Sequence, residues 1–336
     1  MLVHPAQGPN EEYHFVHCYL HCIDMPATLD TPQGKKKMTT VLRQLIKEKD
    51  LLVGPGVFDG ISAHVANSVG FDFLYLAGSG ASGSYIGEPD LSVITQTEMA
   101  ALARTVVHCS SVPVIADADT GFGGPLNIRR TMQLFEGAGV AGAHFEDQTF
   151  PKRCGQLEGK HVVALDEFLE RIAAAVQART DPDFVIIART DSRQAIGNID
   201  ECIRRLKAAF EVGADVGFVE SPMTKEECKK VVESLAPRPV LINVLPHGLT
   251  PNLTTKECAE LGFKLAIYPC TGFIPAMLAM QNSYRALKET GTDLEVCQGK
   301  QIRDFFIQMG LEEEFEYDKR MVEIAKKAIH EKHGGK

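Results

Sequence analysis

From residue 38 onward the chain alternates short apolar runs with amphipathic helical stretches, and this alternation constrains the fold more than any other feature. The runs contain many β-branched and aromatic side chains and do not alternate apolar with polar positions. This pattern is typical of parallel strands that are buried on both faces. Eight such runs occur, at residues 51–57, 73–77, 113–116, 141–145, 184–188, 216–219, 239–242 and 264–268.

Eight strands that alternate with helices predict an α/β fold of the (β/α)8 TIM-barrel type. The helical stretches between them include residues 166–179, 198–212 and 224–235. The competing fold is a doubly wound open sheet, which carries a G-x-G-x-x-G motif after its first strand. Here Gly54 and Gly56 are followed by Asp59 at the third glycine position, so the barrel is favoured.

The pattern divides the chain into a flexible N-terminal arm (1–36), a catalytic barrel (37–290) and a C-terminal helical extension (291–336). The arm contains His17-Cys18 and His21-Cys22 without the second ligand cluster that structural zinc usually has, so chance is the better explanation. Helical stretches at 271–290, 300–309 and 311–329 exceed what eight strands need. We therefore expect them to pack outside the barrel or on another subunit of an oligomer.

Composition excludes several classes of protein. The 35 Lys and Arg residues against 44 Asp and Glu give a net charge of −9, which argues against a nucleic-acid-binding protein. No apolar run approaches the roughly 18 residues that a membrane helix needs, and residues 1–20 contain no apolar signal core. The nine cysteines are scattered, as in a reducing compartment. We expect a cytoplasmic location, in preference to a mitochondrial one.

Polar residues follow five consecutive apolar runs, at the positions where barrel enzymes collect their chemistry. They are Asp117 and Asp119, Glu146, Arg189, Glu220, and Asn243. Because the carboxyl ends of barrel strands meet at one mouth, these side chains indicate a functional site rather than unrelated surface charges.

The residue types at this mouth narrow the chemistry. Asp117, Asp119 and Glu146 offer hard oxygen ligands that suit Mg²⁺ or Mn²⁺, whereas zinc would favour His or Cys. Arg189 and Asn243 can face an anionic, oxygen-rich substrate, since guanidinium pairs well with carboxylate. The residues alone therefore predict a divalent-metal enzyme that acts on a small carboxylate.

A second group of residues, Lys152-Arg153-Cys154-Gly155-Gln156, follows the fourth run. Two cations before Cys154 predict a lowered thiol pKa and usable acid–base or nucleophilic character. The glycine gives the loop freedom to open and close over the site.

These motifs resemble the isocitrate lyase/phosphoenolpyruvate mutase superfamily over residues 36–290. The segments that carry the resemblance are Tyr75–Gly80, Ala116–Gly123, His144–Gln148, Lys152–Gly155, Ala188–Asp191 and Phe218–Glu220. The resemblance implies an α/β barrel whose last helices are swapped between the subunits of a homodimer or homotetramer.

The resemblance also implies roles for individual residues. Asp117 would bind Mg²⁺ directly, while Asp90, Asp119 and Glu146 would hold its waters. Four residues would be catalytic. Arg189 would bind the oxygen that becomes the product carbonyl, Cys154 would protonate the carbanion-like product, and Lys152 and Glu220 would complete the catalytic set. The substrate pocket would include Tyr75, Ala77, Gly78, Ser79, Gly155 and Gln156, with Glu220 and Asn243 on its rim.

Within the superfamily the resemblance favours the branch of 2,3-dimethylmalate lyases and oxaloacetate hydrolases. Methylisocitrate lyases have an arginine after the last strand for a third carboxylate, and this chain has Tyr268-Pro269-Cys270-Thr271 there. Oxaloacetate hydrolases place a serine where this chain has Thr250, which favours an alkylated malate as the substrate. Oxaloacetate hydrolysis and 2-methylisocitrate cleavage stay open as alternatives.

Two positions depart from the family pattern. Gln156 replaces a usual His, and Pro246 replaces a usual Glu. The loss of His removes a group that titrates near neutral pH and could relay protons to the thiol. These departures are consistent with a different substrate or with loss of catalytic activity. The alternative to an enzyme is therefore a non-catalytic barrel that binds a dicarboxylate.

Overall fold

A computed structural model describes residues 37–333, with side chains up to residue 330, and its eight parallel strands close into a barrel. The predicted N-terminal arm and its His-Cys pairs lie outside the described residues. The barrel closes where Leu52 of the first strand pairs with Leu265 of the last, which confirms the predicted fold. The strands are β1 (Leu52–Val57), β2 (Leu74–Leu76), β3 (Val114–Asp117), β4 (Gly142–Glu146), β5 (Val185–Thr190), β6 (Val216–Val219), β7 (Val240–Asn243) and β8 (Leu265–Tyr268).

Helices follow the strands in the order expected for a barrel, and one further helix precedes β1. They are α1 (Met38–Glu48), α2 (Gly60–Val69), α3 (Gly78–Ala81) with a π-helical turn (Ser82–Ile86), α4 (Gln96–His108), α5 (Pro125–Ala138), α6 (Leu165–Ala178), α7 (Ser192–Ile196), α8 (Ile199–Glu211), α9 (Lys225–Leu235), α10 (Thr255–Glu260), α11 (Cys270–Thr290), α12 (Ile302–Gln308) and α13 (Leu311–His333). Helix α1 places Leu42 against the side chains that fill the barrel interior, among them Leu52 and Leu265.

Capping residues in the sequence mark where several helices begin. The Asp59 side chain accepts a hydrogen bond from the Ser62 N–H at 2.7 Å, and the Ser62 hydroxyl oxygen accepts one from the Asp59 N–H at 3.0 Å. Thr95 and Glu98 form the same reciprocal cap on α4. These caps satisfy backbone N–H groups that the first helical turn leaves unpaired.

Four strands extend one or two residues beyond the predicted apolar runs. Asp117, Glu146 and Asn243 are the last residues of their strands, and Arg189 is the penultimate residue of β5. Glu146 pairs with Arg189 in the parallel ladder between β4 and β5. The polar side chains are therefore held by strand hydrogen bonds rather than by loops, which makes their positions rigid.

The C-terminal helices expose large apolar side chains. Helix α11 contacts the barrel where it begins, next to β1. Beyond that contact, exposed hydrophobic residues continue along α11–α13, among them Met277, Leu278, Tyr284, Leu287, Phe305, Phe306, Phe315 and Ile324. Within residues 37–333, no helix is both long enough and apolar enough to cross a membrane.

Gly56 is the tightest backbone contact at the point where α11 joins the barrel. A Cβ at Gly56 would lie 1.9 Å from the Pro269 carbonyl oxygen, and neither backbone can move without disturbing β1 or α11. We expect Gly56→Ala to lower the free energy of unfolding by about 3 kcal/mol. Gly83→Ala is the matched control, because nothing lies within 4 Å of its added Cβ. Equal free energies of unfolding for the two variants, measured by urea denaturation, would contradict the close contact at Gly56.

Candidate active site

The polar residues predicted for the barrel mouth lie together at the carboxyl ends of the strands. Their side chains are almost entirely buried, with relative exposures of 4% for Asp117, 0% for Glu146 and 6% for Arg189. Burial of this many charges is costly unless they are paired or bind an ion. The contacts among them therefore indicate what the mouth can hold.

Asp117 lies at the centre of the carboxylates. Its Oδ1 accepts a hydrogen bond from the Asp119 N–H at 2.9 Å and lies 3.5 Å from His144 Nε2. Its Oδ2 approaches Gly78 so closely that a Cβ there would lie 2.5 Å away. Burial opposes ionisation, but His144, Lys152 and Arg189 together lower the pKa of Asp117. Asp117 is therefore an ionised carboxylate, and Gly78 leaves room for it.

Lys152 bridges two further carboxylates. Its Nζ donates to Asp90 and lies 2.8 Å from Asp119 Oδ1. Burial opposes its charge, but Asp119, Asp90 and Asp117 raise the pKa of Lys152 well above its usual value. Burial raises the pKa of Asp119 to about 7, and its backbone has a left-handed φ of 47°. A strained backbone and a partly protonated carboxyl group are typical of functional sites.

Arg189 is surrounded by three acidic side chains. Its Nε donates to Asp191 Oδ2 at 2.9 Å and lies 3.2 Å from Glu146 Oε2, while its terminal nitrogen is 3.8 Å from Glu220 Oε2. The guanidinium also stacks over the Phe218 ring at 5.2 Å. The guanidinium is thus held in one orientation at the mouth.

Divalent metal ions fit the donors around Asp117. Among the described residues, neither carboxylate oxygen of Glu146 accepts a hydrogen bond, and burial raises its pKa well above the usual value. Between residues 37 and 333, no three His, Cys, Asp or Glu side chains converge closely enough to hold one ion together. Few direct carboxylate ligands and several retained waters are what Mg²⁺ prefers. The expected set, with Asp117 as the direct ligand and Asp90, Asp119 and Glu146 holding water, stays a prediction.

Cys154 lies in a loop that is folded over this mouth. Its Sγ is 3.5 Å from Ser79 Oγ, and its backbone N–H donates to the Asp90 carbonyl oxygen at 3.2 Å. Burial, with the negative charge of Asp90, raises the pKa of the thiol. The predicted lowering of this pKa is therefore wrong, because Lys152 is paired with carboxylates and Arg153 donates to the Glu158 carbonyl oxygen.

Ser79 connects the β2 end of the site to the same group of residues. Its Oγ donates to Asp90 Oδ2 at 3.0 Å, and Ala77 and Gly78 are buried beside it. Tyr75 lies deeper, and its hydroxyl is 2.8 Å from His144 Nε2. Tyr75 is thus engaged with His144 inside the barrel.

Glu220 is not on the rim of the pocket, as the resemblance suggested, because its relative exposure is 0%. It accepts hydrogen bonds from Gln156 at 2.7 Å and Asn243 at 3.0 Å. Gly155 lies against it so closely that an added Cβ would be 2.6 Å from the Glu220 carboxyl carbon. Thr250 is also buried, and its hydroxyl has no partner among the described residues.

Sequence reasoning assigned no role to four polar residues that support the site. Lys160 Nζ donates to Asp191 Oδ1 and to the Gly155 carbonyl oxygen, both at 2.7 Å. Asp147 accepts hydrogen bonds from Thr190 at 2.6 Å and from the Asp191 N–H at 2.8 Å. His144, Asp147 and Asp191 stand inside the motifs that were recognised, whereas Lys160 carries no comparable signal.

A closed parallel barrel with buried carboxylates, an arginine and a thiol at its carboxyl end defines a barrel enzyme. A family model described as phosphoenolpyruvate phosphomutase matches residues 42–288. The chain belongs to the phosphoenolpyruvate mutase/isocitrate lyase superfamily, as its motifs predicted.

Named relatives specify the kind of enzyme further. The 2,3-dimethylmalate lyase of Eubacterium barkeri is 43% identical over 251 residues, which cover 75% of this chain and 86% of the relative. The 2-methylisocitrate lyase of Aeropyrum pernix is 37% identical over 289 residues, covering 86% and 91% of the two chains. The chain is an enzyme of the carbon–carbon lyase type.

Two solved structures extend the comparison. An oxaloacetate acetylhydrolase in complex with 3,3-difluorooxalacetate is 40% identical, with a TM-score of 0.81 over 85% of this chain and 97% of the other. A phosphonopyruvate hydrolase in complex with oxalate and Mg²⁺ is 27% identical, with a TM-score of 0.74 over 89% and 99% of the two chains. A member of the superfamily thus holds the metal that the carboxylates of this site fit.

The raised pKa of Cys154 can be tested directly. Because the thiolate is the reactive form, we expect iodoacetamide to modify Cys154 at pH 8 at least about tenfold more slowly than N-acetylcysteine. The rate should continue to rise above pH 9, measured on the Cys154 peptide by mass spectrometry. Exposed Cys297 in the same samples is the control for reagent activity. If the rate of Cys154 modification instead reaches a plateau below pH 8, the thiol pKa is lowered, as the sequence predicted, and not raised.

Proposed function

We propose that the protein is a Mg²⁺-dependent lyase that cleaves a small 2-hydroxy dicarboxylate of the alkylmalate type. The products are pyruvate or another 2-oxo acid and a second carboxylate. The observation that carries this proposal is the Cys154 thiol beside Ser79, held over the buried cluster of Asp117, Glu146 and Arg189. This cluster combines a proton donor, anion-binding groups and hard oxygen ligands in one closed mouth.

The residues that would hold the metal are Asp117 directly and Asp90, Asp119 and Glu146 through water, with Mn²⁺ as a substitute for Mg²⁺. The buried oxygens of Glu146, which accept no hydrogen bond from the described residues, support this assignment. When bound, the ion supplies Lewis-acid stabilisation of negative charge on the substrate oxygens.

The protein's own groups then define the rest of the chemistry. The backbone N–H groups of Gly78 and Ser79 bind the carboxylate next to the 2-hydroxyl group, and Arg189 binds the 2-oxygen. The Ala77 N–H, which the resemblance also assigned to this carboxylate, instead donates to the Val57 carbonyl oxygen at 3.2 Å. Transfer of the hydroxyl proton to a base, to which no residue is assigned, lets the C2–C3 bond break, with its electron pair passing to C3 and the 2-oxygen becoming a carbonyl. Cys154 donates its proton to C3. A thiol with a raised pKa suits this role, because it is protonated at neutral pH.

The end of β8 limits the substrate to two carboxylates. Buried Cys270 stands next to Pro269, in the region where methylisocitrate lyases carry an arginine. A neutral thiol cannot pair with a third carboxylate, and an unpaired buried charge costs several kcal/mol. A 2-methylisocitrate lyase is for this reason the weaker alternative.

Oxaloacetate hydrolysis to oxalate and acetate is the second candidate. In it, the buried Thr250 hydroxyl, which lacks a partner among the described residues, would bind the hydrated substrate. The extra methyl group of Thr250, compared with the serine of oxaloacetate hydrolases, crowds that substrate, and for this reason hydrolysis stays the second candidate. The alternative of another class is a non-catalytic barrel that binds a dicarboxylate.

A substrate panel distinguishes these candidates. We expect pyruvate release from alkylated malates with Mg²⁺, and none with EDTA, because the carboxylates alone cannot stabilise the developing charge. The panel includes 2-methylisocitrate, isocitrate and oxaloacetate, with oxalate as the readout for the last. Cys154→Ser should lower kcat by about 10²- to 10⁴-fold, the usual contribution of a general acid.

Cys297→Ser is the matched control, because this cysteine is exposed and lies outside the site. Release of oxalate from oxaloacetate, without pyruvate release from any other substrate of the panel, would show that the protein is an oxaloacetate hydrolase and not a lyase. Absence of turnover in a folded protein that binds Mg²⁺ would support the non-catalytic barrel.

We also propose that the protein forms a homodimer or homotetramer, in which residues 291–336 extend the barrel of 37–290 and the last helices pack on a neighbouring copy. The exposed apolar residues of α11–α13 support this assembly, because a soluble monomer rarely exposes so large an apolar surface.

A cytoplasmic location is supported by seven described cysteines that are all free thiols.

Light scattering tests the assembly. We expect a molar mass of two or four times the 36.8 kDa chain. The double variant Leu287→Glu/Phe305→Glu should dissociate, because each charge would have to be buried in the interface. Leu126→Glu changes a residue that is 73% exposed on α5 and should leave the mass unchanged. A monomeric native protein would contradict the proposed assembly.

A further inference from the structure

The loop that carries Cys154 is anchored to the barrel mouth by side chains spaced four residues apart. Lys152, near its start, contacts Asp90 and Asp119. Lys160, near its end, donates to Asp191 Oδ1 at 2.7 Å. Both ends of the loop are therefore held by buried ion pairs. Gln156 lies midway between them, two residues after the Cys154 thiol.

Gln156 joins three segments of the chain. Its Nε2 donates to Glu220 Oε1 at 2.7 Å and lies 3.3 Å from Ser221 Oγ, both directly after β6. Its Oε1 accepts the Leu249 N–H at 3.0 Å, in the segment that follows β7. The loop, the end of β6 and the segment after β7 are thus connected through one amide group.

The chemistry of this contact requires a donor and an acceptor on the same side chain. Glu220 can only accept while it is ionised, and the Leu249 backbone can only donate. A primary amide satisfies both at once and does not titrate. The fit is close, because a Cβ at Gly248 would lie 2.9 Å from Gln156 Oε1.

We propose that Gln156 is a positioning residue that latches the Cys154 loop closed, by bridging Glu220 to the Leu249 N–H. Gln156, which stands where the family usually has His, makes this bridge with a side chain that carries no charge at any pH. Its effect on catalysis rests on the proposed lyase function, whereas its effect on the loop does not.

The latch is tested by the accessibility of Cys154. At a fixed pH of 8, we expect iodoacetamide to modify Cys154 about tenfold faster in Gln156→Ala, because the three hydrogen bonds of this side chain, with Glu220, Ser221 and the Leu249 N–H, are lost. Gln156→Glu should have a larger effect, since a second carboxylate would face Glu220 and no donor would remain. Exposed Cys297 in the same samples should react at an unchanged rate.

The matched control is Gln44→Ala. Gln44 Nε2 donates to Glu48 Oε1 at 2.8 Å on α1, so the variant removes a hydrogen bond of the same type away from the barrel mouth. It should leave Cys154 modification unchanged. Unfolding temperatures within a few degrees of the native protein would show that all variants are folded.

Catalysis provides the second readout. In Gln156→Ala we expect kcat for the cleaved substrate to fall about tenfold, while the Mg²⁺ concentration for half activation stays the same, because Gln156 contacts none of the proposed metal ligands. Slower turnover with unchanged Cys154 modification would overturn the latch.

Cys154 modification within twofold of the native rate in both Gln156 variants would also overturn it. Faster modification in a protein that cleaves nothing on the panel would support the latch and count against the proposed function alone.

Discussion

The structure of the barrel mouth depends on the balance between buried carboxylates and the cations that reach them. Six acidic side chains, from Asp90, Asp117, Asp119, Glu146, Asp191 and Glu220, meet three cations, from Arg189, Lys152 and Lys160. Burial raises the pKa values of Asp119 and Glu146, and neighbouring carboxylates add to the shift, although Lys152 and Arg189 oppose it. A divalent cation would reduce the excess of negative charge further.

Two of those cations belong to the loop and not to the barrel. Lys152 and Lys160 lie on either side of Cys154. When the loop closes, these two lysines therefore also neutralise part of the negative charge of the buried carboxylates. An open loop would leave Asp119 and Asp191 with fewer partners, which is unfavourable in a buried mouth. The loop is therefore held to the site by the electrostatics that also prepare it for an anionic substrate and a metal ion.

The sequence predicts the barrel and the positions of its polar residues well, because both depend on local pattern. Apolar runs mark buried strands, and the residues that end them must meet at one mouth once the barrel closes. The network among those residues could not be predicted in the same way. Gln156 and Glu220 are 64 residues apart, and Lys160 and Asp191 are 31 apart, so these contacts depend on the path of a loop.

The thiol shows the same limit in a single residue. Lys152 and Arg153 precede Cys154 in the sequence, but side chains on neighbouring positions point in different directions. Lys152 turns to Asp90 and Asp119, and Arg153 turns to the Glu158 carbonyl oxygen. The groups that decide the pKa of Cys154 are its burial and Asp90, which is 64 residues away. Proximity in sequence was a poor guide to the electrostatics of this thiol.

The raised thiol pKa and the neutral latch have one consequence in common. A protonated thiol donates to a carbanion without first acquiring a proton, and the Gln156 amide that holds the loop does not itself titrate. The titrating groups that remain at the mouth are the carboxylates, of which Asp119 has a pKa of about 7 before a metal ion binds. A bound cation lowers carboxylate pKa values. Sensitivity of the proposed reaction to pH near neutrality would then report on metal binding rather than on the proton donor.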